Sequence, residues 1–171
     1  MDKRELLKML AELDKGLSAP CEVVVVGGAA MILHFGASRA TRDVDILPLR
    51  GDMAELRQAV ARVADLHNLP EDWMNDAAKG FGDILPRDFY LRLVPLDLPL
   101  EHLRLYTLGT PEQVAMKIVA LREQDLELLL PGLSEKDKQT LISIMHQVAS
   151  FRPDWAQKIR YFLLQQGWAV E

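Results

Sequence analysis

Along the first fifteen residues, Leu6, Leu7, Leu10 and Leu13 recur at helical spacing with charges between them, which predicts an amphipathic helix over 2–15 closed by Lys15-Gly16. The pattern then changes. Residues 22–26 are dominated by valine, too short and too β-branched for a helix, and read as a buried strand ended by Gly27-Gly28. AAMILHF follows as a short buried helix stopped by Gly36, with His34 among apolar neighbours as a packing residue. Residues 41–47 alternate, Val44 and Ile46 on one side and Asp43, Asp45 and Leu47 on the other, and predict a second strand ended by Pro48 and Gly51.

Leu56, Val60 and Val63 form the stripe of a helix over 53–66. Residues 67–88, rich in Pro, Asn, Asp, Gly and Trp, read as an irregular connection, and strands are expected at 89–94 and 103–108. TPEQVAMKIVALREQDLELL predicts one helix with Thr110 as N-cap, Pro111 first inside and Gln113 completing a capping box, ended by Pro131-Gly132. Ser134 caps a further helix to about residue 150, and a last one covers about 154–166. The order predicts an α/β fold, a small mixed sheet flanked by helices, over residues 1–130, with a helical extension over 131–171 packed on it.

Composition narrows the class. A chain of 171 residues that is 49% hydrophobic and 26% charged is globular in type and long enough to bury a core without staples. No apolar run reaches the ~20 residues of a membrane span, and the charged N-terminal helix lacks the apolar core of a signal peptide, so a cytoplasmic location is expected. A single cysteine, Cys21, builds neither a disulfide nor a zinc site. The net charge of −5 argues against coating nucleic acid through a global basic field, but leaves small anionic ligands open.

Chemistry concentrates in VVVVGGAAMILHFGASRATRDVDI. A strand running through Gly27-Gly28 into a helix turns backbone N–H groups toward an anion, and glycine lets phosphate approach the backbone. Asp43 and Asp45, two apart on an extended strand, project from one face, and such paired oxygens suit Mg²⁺ with waters and substrate phosphates. Each half has a bland alternative, a tight turn and a solvated acidic pair, but the two in this order favour the functional reading. Arg39 and Arg42 flank Thr41 just before the acids, where either would meet phosphate, RNA or only solvent. Trp73, Trp155 and Trp168 are scattered and read as packing residues, and His67, His102 and His146 lack ligand spacing.

This stretch resembles the signature of the nucleotidyltransferase superfamily with the DNA polymerase β fold: an apolar strand, Gly-Gly or Gly-Ser, a helix, then Asp-x-Asp on the next strand. Gly27, Gly28, Asp43 and Asp45 occupy its positions. Arg39, Thr41, Asp43 and Asp45 also resemble the R-x-T/S-x-D-hydrophobic-D form of small bacterial nucleotidyltransferase-like proteins of the abortive-infection and toxin–antitoxin type. A later K-x-x-A-x-R-x-x-D pattern in such proteins is matched by Lys117, Ala120, Arg122 and Asp125. Without the resemblance, that segment reads as the solvated face of a helix whose core stripe is Val114, Ile118 and Leu121.

The resemblance implies a Mg²⁺-dependent transfer of a nucleoside monophosphate from a nucleoside triphosphate to an acceptor hydroxyl on tRNA, a protein or a small molecule. It implies Mg²⁺ on Asp43 and Asp45, a nucleotide against Gly27, Gly28, Arg39, Thr41, Lys117 and Arg122, and Asp125 as a further catalytic carboxylate. A cognate toxin or antitoxin partner belongs to the same implication. The pattern breaks at the third carboxylate expected on a strand beside Asp-x-Asp: Asp88 and Asp97 sit in no convincing strand, leaving Asp125 as a substitute. The alternative is therefore a catalytically incomplete module of the same fold that binds nucleotide or a partner. A metal-dependent nuclease also clusters acids, but leaves Gly27-Gly28 unexplained.

Overall fold

The computed structural model describes residues 1–170, which divide into two compact units. The first comprises Met1–Lys79 and Leu93–Thr107; the second comprises Gly80–Arg92 and the chain from Leu108 onward.

The first unit carries the sheet. Its strands are β1 (Cys21–Val26), β2 (Val44–Arg50), β3 (Met74–Asn75), β4 (Val94–Pro95) and β5 (Leu103–Thr107), in the order β3-β2-β1-β5-β4. β1 is antiparallel to β2 and parallel to β5, β3 runs parallel to β2, and β4 closes the other edge antiparallel to β5. Central position explains the composition of β1, in which Val23, Val24 and Val25 are wholly buried. Three helices belong to this unit: α1 (Lys3–Asp14), α2 (Gly27–Leu33) and α3 (Met53–His67). Leu6, Leu10 and Leu13 of α1, Val63 of α3 and Val23 and Val25 of β1 form one core with Trp73, whose indole N–H donates to the Val60 carbonyl at 3.0 Å. α1 is capped by Asp2, whose carboxylate accepts from the Glu5 N–H while Glu5 reaches back to the Asp2 N–H.

Several expected boundaries move. β2 starts at Val44 and runs through Pro48 to Arg50, because the β1–β2 register shifts between Glu22 and Val23. That bulge accommodates a residue without an N–H inside a strand. The segment read as wholly irregular contains β3 and a 3₁₀ helix, Ala77–Ile84. The strand expected over 89–94 is mostly the 3₁₀ helix Phe89–Arg92, with only Val94–Pro95 paired. An Asp88–Arg92 ion pair, four residues apart, spans this turn. Asp14, at the end of α1, is 8% exposed.

The second unit is helical: α4 (Thr110–Val119), α5 (Leu126–Leu129), α6 (Glu135–Ala149) and α7 (Pro153–Gln165). α4, α6 and α7 pack pairwise, with Val114, Leu141, Ile144, Ile159 and Leu163 wholly buried. Ser134 caps α6 in a capping box with Asp137. Trp155 is buried, stacks on Phe81 and carries the Arg152 guanidinium over its ring, while Trp168 packs edge-on against Phe162. Among the described residues, no helix is long and apolar enough to cross a membrane.

Candidate functional site

The first unit gathers the glycines and one aspartate through strand register. β1 ends at Val26, which pairs with Asp45 across the antiparallel ladder, and α2 begins at once with Gly27. Gly27 adopts φ +66°, which disfavours any side chain there, and a Cβ would lie 3.0 Å from Asp45 Oδ2, close enough that the carboxylate would have to shift. A Cβ on Gly28 would lie 3.0 Å from Thr41 Oγ1 and 3.9 Å from Arg39 Nη2. Gly27, Gly28, Arg39, Thr41 and Asp45 thus lie together within the unit.

Asp43 precedes the β2 ladder, and the Thr41 hydroxyl donates to its carbonyl at 3.0 Å, fixing the turn into the strand. Asp43 and Asp45 are both half-buried. Arg42 is exposed, and so is His34, contrary to the packing role expected for it. α2 ends at Leu33, and His34 beyond it contacts the edge of Phe35 instead of entering the core.

Two half-buried carboxylates this close in sequence match the protein's usual share of a Mg²⁺ shell, one or two carboxylates completed by water and phosphate oxygens. The strand beside β2 bears on the missing third acid. β3 places Asn75 opposite Asp45, an amide whose oxygen accepts from the Ala77 N–H at 3.0 Å and whose nitrogen donates to the Asp72 carbonyl at 3.2 Å. Asp97 is exposed beyond β4. Asp88 belongs to the second unit, where its hydrogen bonds from Arg92 hold its carboxyl below the usual carboxylate range. Among the described residues, no group of three or more His, Cys, Asp or Glu is placed to hold a metal.

In the second unit the expected continuous helix is broken. α4 begins after Gly109, which takes the N-cap place expected of Thr110, and the capping box with Gln113 does not form. The helix stops at Val119. Leu121 turns left-handed at φ +56°, the Arg122 N–H donates to the Lys117 carbonyl and the Leu121 N–H to that of Ile118. This is the Schellman arrangement, built on leucine where glycine is usual. A 3₁₀ turn, Glu123–Asp125, follows.

The break decides where Asp125 goes. Eight residues along a straight helix would separate it from Lys117 by about 12 Å of axis. Instead the chain folds back and the Lys117 ammonium ion-pairs with the Asp125 carboxylate, their side chains 6% and 2% exposed. Arg122 lies between them in sequence and is exposed.

The solvated face expected for this helix is absent. Every residue from Pro111 to Val119 is buried, including Glu112, Gln113 and Lys117. Glu112 is held by Arg92, and its second oxygen would lie 2.8 Å from a Cβ on Gly109. Sequence reasoning missed Arg92, Glu112 and Gln113; their only signal was polar residue types in a segment with too few exposed positions to seat them.

No curated protein and no solved structure matches the chain at a significant level. One family model matches residues 4–165 and is described as a nucleotidyltransferase of unknown function (DUF6036). With nearly its whole length matched, the chain belongs to this family of nucleotidyltransferases, as the strand, glycine pair and Asp-x-Asp arrangement had implied.

Proposed function

We propose that the protein transfers a nucleoside monophosphate from a nucleoside triphosphate to an acceptor hydroxyl with Mg²⁺ as cofactor. The observation that carries this is the close approach of Gly27 to the Asp45 carboxylate, which leaves the backbone at the end of β1 bare of side chain beside an acid suited to a cation. Asp43 and Asp45 would hold Mg²⁺, which when bound supplies positive charge to the phosphates. Gly27 and Gly28 present the backbone, and Arg39 and Thr41 stand beside Gly28 as donors for phosphate oxygens. Lys117, Arg122 and Asp125 are assigned to the same reaction by their match to the later pattern of the resemblance.

The acceptor oxygen forms a bond to the α-phosphorus, the bond to the bridging oxygen breaks, and pyrophosphate leaves. The hydroxyl proton passes to a carboxylate or to solvent. Positioning and charge neutralisation supply most of the acceleration. The acceptor classes are a tRNA end, a protein side chain or a small molecule, and a cognate toxin or antitoxin is the partner class.

A second reading, a module that binds nucleotide or a partner without turnover, is favoured by one observation: the position opposite Asp45 is an amide already committed to local hydrogen bonds. One experiment separates the two. The protein is incubated with each labelled nucleoside triphosphate, Mg²⁺ and total RNA or cell lysate, and macromolecular label is measured. Transfer that Asp43→Asn and Asp45→Asn each reduce by at least 100-fold supports the enzyme. Nucleotide-dependent thermal stabilisation without transfer supports the module, and neither result defeats both.

A further inference from the structure

Residues 34–43 connect α2 to β2 without regular structure, and Asp43 is the last of them. Asp45 takes its place from strand register, whereas Asp43 lies just outside the ladder and has to be placed by other means. Two main-chain ties bracket it. On one side the Val44 N–H donates to the Trp73 carbonyl at 2.7 Å. On the other side Thr41 exchanges two bonds with Met1: the Thr41 N–H donates to the Met1 carbonyl at 2.9 Å, and the Met1 nitrogen donates to the Thr41 carbonyl. The Thr41 hydroxyl carries the tie on to the Asp43 carbonyl. Met1 is itself held in place, because Asp2 caps α1 in a complete capping box and the Met1 side chain packs on the same core as Leu33 and Ala37. All of these residues belong to the first unit.

We propose that Met1 is a positioning residue for the Mg²⁺ site: its main chain, acting through Thr41, fixes Asp43 for the cation it would share with Asp45. The inference rests on the reaction proposed above. Mg²⁺ demands near-octahedral geometry, and a ligand left loose by about 1 Å gives up much of its contribution. Asp43 approaches such a shell from a loop, where the backbone has more freedom to lose than in a ladder. The paired bonds to Met1 remove that freedom during folding, so ordering Asp43 does not fall on the binding step. Neither bond involves the Met1 side chain. The role therefore belongs to the main chain of residue 1, and the side chain serves only to seat it on the core.

The test compares the unaltered protein with a chain lacking Met1 and with Met1→Gly, both variants released from cleaved fusions. Affinity for Mg²⁺ alone is measured by calorimetry, and the thermal midpoint is measured without the cation. Removing Met1 is expected to weaken Mg²⁺ binding about tenfold or more, the usual effect of losing a group that orients a metal ligand. Met1→Gly keeps the main chain without the side chain. Its affinity is expected to match that of the unaltered protein, while its midpoint is lowered by the lost packing. Undiminished affinity in the chain lacking Met1 would overturn the proposal and leave the proposed reaction standing. Equal weakening in both variants would assign the effect to side-chain packing and overturn the proposal as well. Amide exchange on the unaltered protein is the second measurement, and it decides the matter if the shortened chain does not fold. The Thr41 amide is expected to be protected as well as that of Val44, and exchange at the rate of an open loop would overturn the proposal. Failure of the unaltered protein to bind Mg²⁺ would overturn the reaction reading itself.

Discussion

Replacing Asp14 with alanine removes the acceptor for three backbone donors at once. Its Oδ1 accepts from the N–H groups of His102 at 2.8 Å and Leu103 at 2.7 Å, and its Oδ2 accepts from Glu101 at 2.8 Å. The carboxylate therefore ties the end of α1 to the start of β5. Burial works to raise its pKa, but the three N–H donors outweigh burial and hold it below the usual carboxylate range. Charge-assisted hydrogen bonds of this kind contribute about 1.5–3 kcal/mol each, and partial access of water to the freed N–H groups reduces the sum. A loss of about 3–5 kcal/mol results, or about 6–20 °C in the thermal midpoint for a chain of this length.

Asp14→Asn should fall between, because its single oxygen can serve only His102 and Leu103 while its NH₂ faces the Glu101 donor. The pH dependence follows from the lowered pKa. The folded carboxyl releases its proton more readily than the unfolded one, so its contribution is complete above the unfolded value of about 4. It is lost as pH falls through the folded value. Urea denaturation of the three proteins at pH 7 and in steps from pH 5 to 3 measures both effects. A loss below about 1 kcal/mol for Asp14→Ala, or an acid limb unchanged in Asp14→Asn, would refute the reasoning.

Gly27→Ala should cost about 1–2 kcal/mol through its left-handed backbone, and displacement of Asp45 Oδ2 should weaken Mg²⁺ binding, read by calorimetry. Leu121→Gly should stabilise by about 0.5–1 kcal/mol in denaturant titration, whereas Leu121→Ile should destabilise by at least as much. Lys117→Met should cost about 3–5 kcal/mol by taking the ammonium away from the buried Asp125 carboxylate, and adding Asp125→Leu should recover part of it. Asn75→Asp sets a third carboxylate opposite Asp45; it should lower the thermal midpoint without Mg²⁺ and enlarge the rise on adding Mg²⁺, measured by calorimetric melting.

What could be read from the sequence was what neighbouring residues decide. The leucines of α1, the stripe of α3, the Ser134 cap of α6 and the valine strand ending at Gly27 each follow from periodicity or turn chemistry within a few residues. The grouping of Gly27 with Asp45 was also legible, because a strand, a tight exit and a return strand have little freedom in register. β3 was not legible. Two residues, Met74 and Asn75, carry no periodicity, and only pairing with Val44 and Asp45 makes them a strand. The role of Asp14 was not legible for a related reason: the three N–H donors it accepts from belong to residues more than eighty positions away.

α4 sharpens the distinction between residue type and environment. Its sequence offers an amphipathic reading with a solvated face that carries Lys117, yet every residue from Pro111 to Val119 is buried, Glu112 and Gln113 included. Glu112 and Lys117 meet partners through chain reversals, Glu112 from Arg92 twenty residues earlier and Lys117 from Asp125 beyond a left-handed leucine. Both the Schellman turn at Leu121 and the ion pair therefore depend on each other: a straightened helix would carry Asp125 away, and a neutral residue at 125 would remove a reason for the turn. Leucine at φ +56° and 67% exposure is unfavourable in conformation and solvation alike, so the turn is held by its two backbone hydrogen bonds and the buried charge pair, not by the leucine side chain. Amide exchange at Arg122 should accordingly accelerate in Asp125→Ala even though the Schellman hydrogen bonds involve neither side chain of the pair.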